Sequence, residues 1–201
     1  MDSVARMGPN AILQVGAALD QLLGSGARVR FYRSAGLEGY LREPPGHMVP
    51  ETEVQALHAA LRAELPVPTV RELALRAGAA TGDYLLAHRI PRPAQWLLRA
   101  LPRRLAARLL AVAIGKNAWT FVGSGTFEAL PAARASAPLV FVIRNSPLCS
   151  GLRADAPNCD YYAATFERLF RVLVSRHATV TETACQAMGA PSCLFEVRWS
   201  P

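Results

Sequence analysis

All four cysteines of this chain, Cys149, Cys159, Cys185 and Cys193, fall in its last third, and an acid, Glu182, stands three positions before Cys185. Cys159, Glu182, Cys185 and Cys193 read together as one four-ligand metal site, because zinc takes four ligands in a tetrahedron from thiolate, imidazole and carboxylate. Four protein ligands leave no open position for water, so such a site is structural rather than catalytic. The spacing is not that of a paired CxxC motif. Buried free thiols, which pack as small apolar groups, remain the alternative at this point.

Those side chains need elements to hold them. Glu182 and Cys185 lie on TVTETACQAMG, which alternates like a strand and enters a turn at Met188-Gly189-Ala190-Pro191; Cys193 opens the next strand, SCLFEVRW. A hairpin over residues 178–199 brings the three together. Cys159 starts the amphipathic run DYYAATFERLFRVLV, whose Tyr162, Phe166, Leu169 and Leu173 stripe is core-like, and a helix N-terminus favours a thiolate. A metal there staples helix end to hairpin.

The order Cys, then Glu-x-x-Cys, then Cys opening an aromatic-ended strand resembles the V4R (4-vinyl reductase) domain. The resemblance implies that Cys159, Glu182, Cys185 and Cys193 bind zinc in that order. Cys149 has no counterpart in the pattern and is set aside as a free thiol.

The 201 residues suffice for one domain with a real core, and at 51% hydrophobic and 18% charged the chain is globular rather than disordered. The apolar run in the middle, residues 109–115, is far too short to span a bilayer. The start, MDSVARMGPN, carries an early acid and no signal-peptide pattern. A cytoplasmic location is expected, and reduced thiols suit it.

Lys and Arg number 22 against 15 Asp and Glu, a net charge of +7. The excess is local. Residues 84–127 contain Arg89, Arg92, Arg99, Arg103, Arg104, Arg108 and Lys116 and no acid. Such a stretch meets nucleic acid, an anionic membrane surface, an acidic partner or an anionic ligand, or is a solvated helix face. Nucleic acid is disfavoured, because the cations interleave with Leu and Ala and no reader motif is present.

Taken in order, AILQVGAALDQLLG reads as a helix ended by Gly24, ARVRFYRSAG as a strand or extended segment, and residues 40–50 as loop around Pro44-Pro45-Gly46. A helix follows from Glu51 to Pro66, with a lone, structural His58. Thr69 and Glu72 form a capping-box pattern for the next helix, which is expected to break near Gly78 to Gly82. PRPAQWLLRAL and RRLAARLLAVAIGKNAW are two further helices, the second with Leu105, Leu109, Ala113 and Ile114 sharing a face. WTFVGSGTFEAL reads as strand, Gly123-Ser124-Gly125 turn and strand, and residues 137–145 as a buried strand. The fold class is α+β: a helical N-terminal half and an antiparallel sheet with packed helices, stapled at the C-terminal hairpin.

Residues 81–127, above all GDYLLAHRIP and AWTFVGSG, are similar to the bacteriochlorophyll-biosynthesis branch of V4R proteins, the BchJ family. With the hairpin, the resemblance covers most of residues 50–199. It divides the chain into an N-terminal helical and extended segment, 1–50, and a V4R-like ligand-binding domain, 51–201, in one compact unit. It implies either reduction of the 8-vinyl (4-vinyl) group of divinyl protochlorophyllide or the binding and delivery of a magnesium porphyrin or protochlorophyllide to pathway enzymes. A reductase needs a hydride or electron source, yet no GxGxxG follows a strand, and Gly123-Ser124-Gly125 is only a GxG. The cysteine spacing and Glu182 favour zinc over an iron–sulfur cluster. The expectation is therefore a carrier with no catalytic residues. Tyr84, Trp96, Trp119, Phe121 and Phe127 would line its pocket, Arg89 and Arg92 would meet the propionates, and His88, with His177 weaker, would be the axial ligand to magnesium. The resemblance also implies a homodimer. A third reading is a regulator or assembly factor that touches magnesium chelatase or a methyltransferase through the basic face. At the position where the family pattern has His before Ala-Trp-Thr-Phe, this chain has Asn117, so no imidazole role carries over.

Overall fold

The computed structural model describes residues 4–131 and 139–199. The first two positions of the strand expected over 137–145 lie outside them. β1 (Arg6–Met7) leads into α1 (Asn10–Leu23), whose Ile12, Val15 and Leu19 are buried, and Gly24 ends the helix at φ 88°. Next come α2 (Ser25–Ser34), the single turn α3 (Gly39–Arg42), and β2 (Val49–Pro50), which pairs with β1. α4 (Glu51–Glu64), α5 (Val67–His88), α6 (Arg92–Ala100) and α7 (Arg103–Lys116) complete the helical half. The rest is β3 (Thr126–Leu130), β4 (Leu139–Arg144), α8 (Asp160–Leu173), β5 (Thr179–Ala184) and β6 (Cys193–Arg198). Among the described residues no helix is long and apolar enough to cross a membrane.

The last four strands form one antiparallel sheet in the order β3-β4-β6-β5. β4 is central, and Leu139, Phe141, Val142 and Ile143 are buried along it. The helix α8 packs by Tyr162, Phe166, Leu169 and Leu173, all buried as the stripe required. Phe166 meets Phe141 with ring centroids 4.9 Å apart and Phe195 at 5.7 Å, edge to face, the arrangement that ring quadrupoles favour.

Five local expectations are corrected. ARVRFYRSAG is the helix α2, because Phe31 and Tyr32 are buried beneath α1 and Tyr32 donates its hydroxyl to the Ile12 carbonyl at 2.9 Å. The helix α5 runs unbroken through Gly78 and Gly82. Glycine costs a helix about 1 kcal/mol relative to alanine, but here it lets α8 approach. A Cβ on Gly78 would strike the Tyr161 carbonyl oxygen and come within 2.9 Å of the Ala164 Cβ; one on Gly82 would lie 2.7 Å from the Arg168 Cβ. Thr165 on α8 donates its hydroxyl to the Gly78 carbonyl at 3.0 Å across the same seam. The start of α5 is also earlier than the capping box implied: the helix follows Pro66, with Pro68 in its first turn and no side-chain cap from Thr69.

The Trp119 stretch is not a strand. Ala118–Thr120 is one 3-10 turn, and β3 pairs with β4 instead. The carbonyls of this stretch have other donors, Gly8 N–H to Thr120 at 2.7 Å and the Tyr162 hydroxyl to Phe121 at 2.8 Å. Finally, the buried face of α7 is Ala106, Ala107, Leu110, Ala111 and Ile114; Leu105 and Leu109 stand in solvent.

Candidate metal centre

The sheet and α8 bring four thiols together from four places. After β4, Asn145 takes a left-handed conformation at φ 52°, and the 3-10 turn Pro147–Cys149 folds Cys149 inward. Cys159 caps the N-terminus of α8. Cys185 follows β5, past a register shift between Glu182 and Ala184, and Cys193 opens β6. Gly189, left-handed at φ 87°, closes the turn between them.

All four cysteines are buried and reduced, and their sulfurs lie within 4.8 Å of one another. Cys149 Sγ is 3.1 Å from Cys159 Sγ and 3.6 Å from those of Cys185 and Cys193. Cys159 and Cys193 are 3.7 Å apart, Cys185 and Cys193 4.0 Å. A zinc ion bonded to sulfur at about 2.3 Å in a tetrahedron sets an edge of about 3.8 Å between sulfurs. The donor set and its dimensions therefore fit zinc.

Three of the four expected ligands, Cys159, Cys185 and Cys193, stand in this cluster. The fourth corner is held by Cys149, which the sequence pattern set aside. Glu182 lies beside the cluster: its Oε2 accepts the Cys159 N–H at 2.8 Å, and its Oε1 is buried without a partner among the described residues. Burial pushes the Glu182 carboxyl up to about 8, against the Cys159 N–H, which favours the charged form. Hydrogen bonds from Cys159, Cys185 and Cys193 pull the Cys149 thiol far below the usual range, and the reciprocal bond from Cys149 pushes Cys159 up. Within the cluster the thiolate form, which a metal ligand requires, is favoured at Cys149 and disfavoured at Cys159.

Arg62 supplies the counter-charge. Burial lowers its pKa, while the nearby Cys159, Cys149 and Cys185 favour its charged form. It donates through Nε to Asn158 Oδ1 at 2.9 Å, and Gln186 N–H donates to Cys193 Sγ at 3.4 Å. Nothing in the spacing of the cysteines points to Arg62, which arrives from α4, 96 positions before Asn158. For Cys149 a signal existed: four sulfurs are the ordinary ligand set of a structural zinc.

None of the expected ligand-pocket residues lines the groove between α5, α8 and β5. Tyr84 and His88 lie against each other near the end of α5, centroids 4.8 Å apart, with His88 exposed. Arg89 and Arg92 are exposed, as are Trp96 and Trp119. Phe121 and Phe127 belong to the aromatic core, 5.5 Å apart. His177, exposed, takes part in a hydrogen bond with Arg176. A groove of about 650 Å³ lies elsewhere, between α5, α8 and β5, with Leu75, Ala79, Ala163 and Val180 among its apolar lining. Arg71, Arg168 and Arg171 also line it, each paired with a carboxylate: Asp160 at 3.2 Å, Asp83 at 2.6 Å and Glu167 at 2.9 Å.

Known proteins agree with this architecture. The chain resembles H-NOX structures at low identity, which shows a common fold. One, described as "Probing the function of heme distortion in the H-NOX family", matches with a TM-score of 0.61 at 13% identity over 97% of this chain and 96% of that one. An unliganded Fe(II) H-NOX mutant from K. algicida gives 0.58 at 12% identity, over 97% of each chain. The V4R domain matches residues 139–199. The bacteriochlorophyll synthase 23 kDa chain of Cereibacter sphaeroides is 48% identical over 192 residues, 96% of this chain and 90% of that one. Its counterpart from Rhodobacter capsulatus is 45% identical over 197 residues, 96% and 87% of the two chains. On that identity and coverage, the chain belongs to the family of bacteriochlorophyll synthase 23 kDa chains and carries a V4R domain at its C-terminal end.

Proposed function

We propose that this protein works in bacteriochlorophyll biosynthesis as a zinc-stapled binding protein that carries a magnesium tetrapyrrole, a magnesium porphyrin or protochlorophyllide, to pathway enzymes. One observation carries the reading: relatives 45–48% identical along nearly the whole chain bear the name bacteriochlorophyll synthase 23 kDa chain. The fold supports it, since neighbours of the same architecture are described by heme distortion and by protein-induced porphyrin distortion.

Zinc would be held by Cys149, Cys159, Cys185 and Cys193. With four sulfur ligands it has no open coordination position, so it serves folding and not turnover. The tetrapyrrole would lie in the groove between α5 and α8. The small side chains of Ala79, Ala163 and Ala164 leave width for a flat ring, and groove volumes of about 300–1,000 Å³ are typical of small-molecule sites. Arg71, Arg168 and Arg171 would receive the carboxylates by exchanging their present acidic partners.

The test is an absorbance titration of metal-quantified protein with protochlorophyllide, anaerobically, with and without NADPH. The expected result is a saturable Soret shift at one equivalent without loss of the vinyl group, weakened about tenfold or more in Ala79→Trp, whose indole fills the groove. Retention in Ala79→Trp with loss in His88→Ala would move the ring to Tyr84, His88, Arg89 and Arg92. Vinyl reduction by the protein and NADPH would overturn the carrier reading in favour of the divinyl protochlorophyllide 8-vinyl reductase.

A further inference from the structure

We propose that α6, α7 and the turn after them form a docking surface for an anionic lipid bilayer. The inference is independent of the tetrapyrrole reading and rests on a different part of the molecule.

The first observation is where apolar side chains face water. Six large hydrophobic residues within positions 96–119 are exposed: Trp96 at 76% and Trp119 at 63%, with Leu97, Leu105, Leu109 and Val112. On α7, Leu105, Leu109 and Val112 follow the i, i+4, i+7 spacing of one helix face. That face points away from the buried side formed by Ala106, Ala107, Leu110, Ala111 and Ile114. A surface helix is normally polar on the side away from its core, and α7 has Leu and Val there instead.

The second observation is charge. Outside residues 84–127 eight arginines, Arg28, Arg30, Arg71, Arg76, Arg144, Arg168, Arg171 and Arg198, pair with a carboxylate, while Arg33, Arg42, Arg153 and Arg176 have none among the described residues and are scattered over other parts of the chain. Inside residues 84–127, Arg89, Arg92, Arg104, Arg108 and Lys116 are exposed, and among the described residues none has an acidic partner. On the α7 surface Arg104 and Arg108 flank the Leu105–Leu109–Val112 stripe. Trp and Leu between Arg side chains is the composition of a helix lying in a membrane interface, where indole sits at headgroup depth and arginine reaches anionic phosphates.

The third observation is rigidity. Gln95 donates to the Leu86 and Ile90 carbonyls at 2.6 and 2.8 Å, and Arg99 donates through Nε to Val172 on α8 at 3.2 Å. These bonds fix α6 to its neighbours, so Trp96 is presented by a held helix and not by a loose loop.

A second copy of the chain is a poor occupant, because a two-fold contact through this surface would set each basic face against its equal. Neither the groove between α5, α8 and β5 nor the small cavity beside His58 is lined by residues 96–119, so neither provides a socket there for a partner's anchor side chain. A bilayer needs none.

Vesicle co-sedimentation at low salt tests this, with the tryptophan spectrum as second readout. Equimolar phosphatidylglycerol and phosphatidylcholine vesicles should bind the protein, shift Trp emission to the blue and allow quenching by brominated lipid; pure phosphatidylcholine should leave it in solution. The double variant Trp96→Ser, Trp119→Ser should keep its melting temperature, lose the blue shift and bind about tenfold more weakly or worse. Arg104→Gln and Arg108→Gln should each weaken binding about fivefold, whereas Arg28→Gln on α2 should change nothing. Binding that is indifferent to lipid charge would overturn the proposal. So would its absence on the anionic vesicles, or retention in the Trp variant without a spectral shift, which would mean adsorption by net charge alone. Concentration-dependent dimerisation abolished by the Trp variant, without lipid binding, would assign the surface to a second copy and overturn it as well.

Discussion

Cys193 and Trp96 both sit on regular elements, yet Cys193 is wholly buried while Trp96 is 76% exposed. Around Cys193 the chain supplies cover from every side: β4 pairs with β6, the Cys149 turn folds over the sulfurs, and α8 begins against them. Around Trp96 one face of α6 is anchored, and among the described residues nothing covers the other. The difference lies in how many independent segments converge. A hairpin and the helix before it close a site within residues 145–199, whereas two successive helices form one layer, and one layer leaves a free side.

The comparison breaks first at the cluster. Cys185→Ser removes one corner of the thiol cluster, and with it one ligand of the zinc proposed there. Structural zinc is worth on the order of 10 kcal/mol in small modules. A shift of about 2–4 °C per kcal/mol in a chain of this size makes a fall in Tm of roughly 10 °C or more the expected outcome, with zinc content falling in parallel. Metal lost at unchanged Tm would end the stapling idea. Cys149→Ser and Glu182→Gln then separate the two ligand sets. If Cys149 is the fourth corner, its serine variant behaves like Cys185→Ser and Glu182→Gln keeps its zinc; the reverse result restores the Cys159, Glu182, Cys185, Cys193 set.

Next is the seam between the halves. Gly78→Ala places a methyl against the Tyr161 carbonyl and Ala164, and overpacking of this kind costs about 1–3 kcal/mol. A thermal melt should show a fall of about 2–10 °C with zinc content intact, which distinguishes it from the cluster variants. A Tm equal to the parent's would mean that α5 and α8 do not approach as closely as described.

His58 gives a smaller, pH-dependent effect. Its imidazole is buried on α4, edge-on to Tyr161 at 6.0 Å, and Nε2 has no partner among the described residues. Burial, followed by the nearby Arg62, pushes its pKa down from 6.5 to about 3. The folded protein therefore keeps it neutral while the unfolded chain protonates it below pH 6.5. Its contribution is fully present above that pH and is lost as pH falls toward 3. Between pH 6.5 and 5 the loss is about 2 kcal/mol. Denaturant melts of the parent and His58→Gln should converge in pH slope above 6.5 and diverge below it, the variant lacking that component; parallel slopes throughout would refute the buried neutral imidazole.

What was legible in the sequence follows the same division. The Tyr162–Phe166–Leu169–Leu173 stripe and the 178–199 hairpin were readable because local periodicity and a turn determine them. Cys159, Cys185 and Cys193 were readable because that hairpin brings them together. The place of Cys149 was not, since it depends on a left-handed Asn145 and on a turn folding back toward Cys193; only the count of four sulfurs pointed to it. The helix α2 was misread because RVRFY alternates like a strand, and only α1 makes burial of Phe31 and Tyr32 worth more than that pattern. Gly78 and Gly82 looked like a break because their partner, α8, lies more than 80 positions away. Leu105 and Leu109 were legible as part of an apolar face, but periodicity does not tell whether anything packs on such a face.

That last point yields the smallest effect. If Trp96 and Leu109 only face outward, Trp96→Ser and Leu109→Ser remove no packed contact. Substitutions at exposed positions of this kind stay within about 0.5 kcal/mol, so Tm should move by no more than about 2 °C. Leu110→Ser, one position along the same helix and buried, leaves a cavity and a buried hydroxyl and should cost several times more, about 2–5 kcal/mol. Equal penalties at 109 and 110 would show that the outer face of α7 is covered in the free protein, by another copy of the chain, and would remove the contrast with the thiol cluster. Unequal penalties leave the apolar outer face without a role in folding, so that its Leu, Val and Trp side chains have to be explained by something outside the chain.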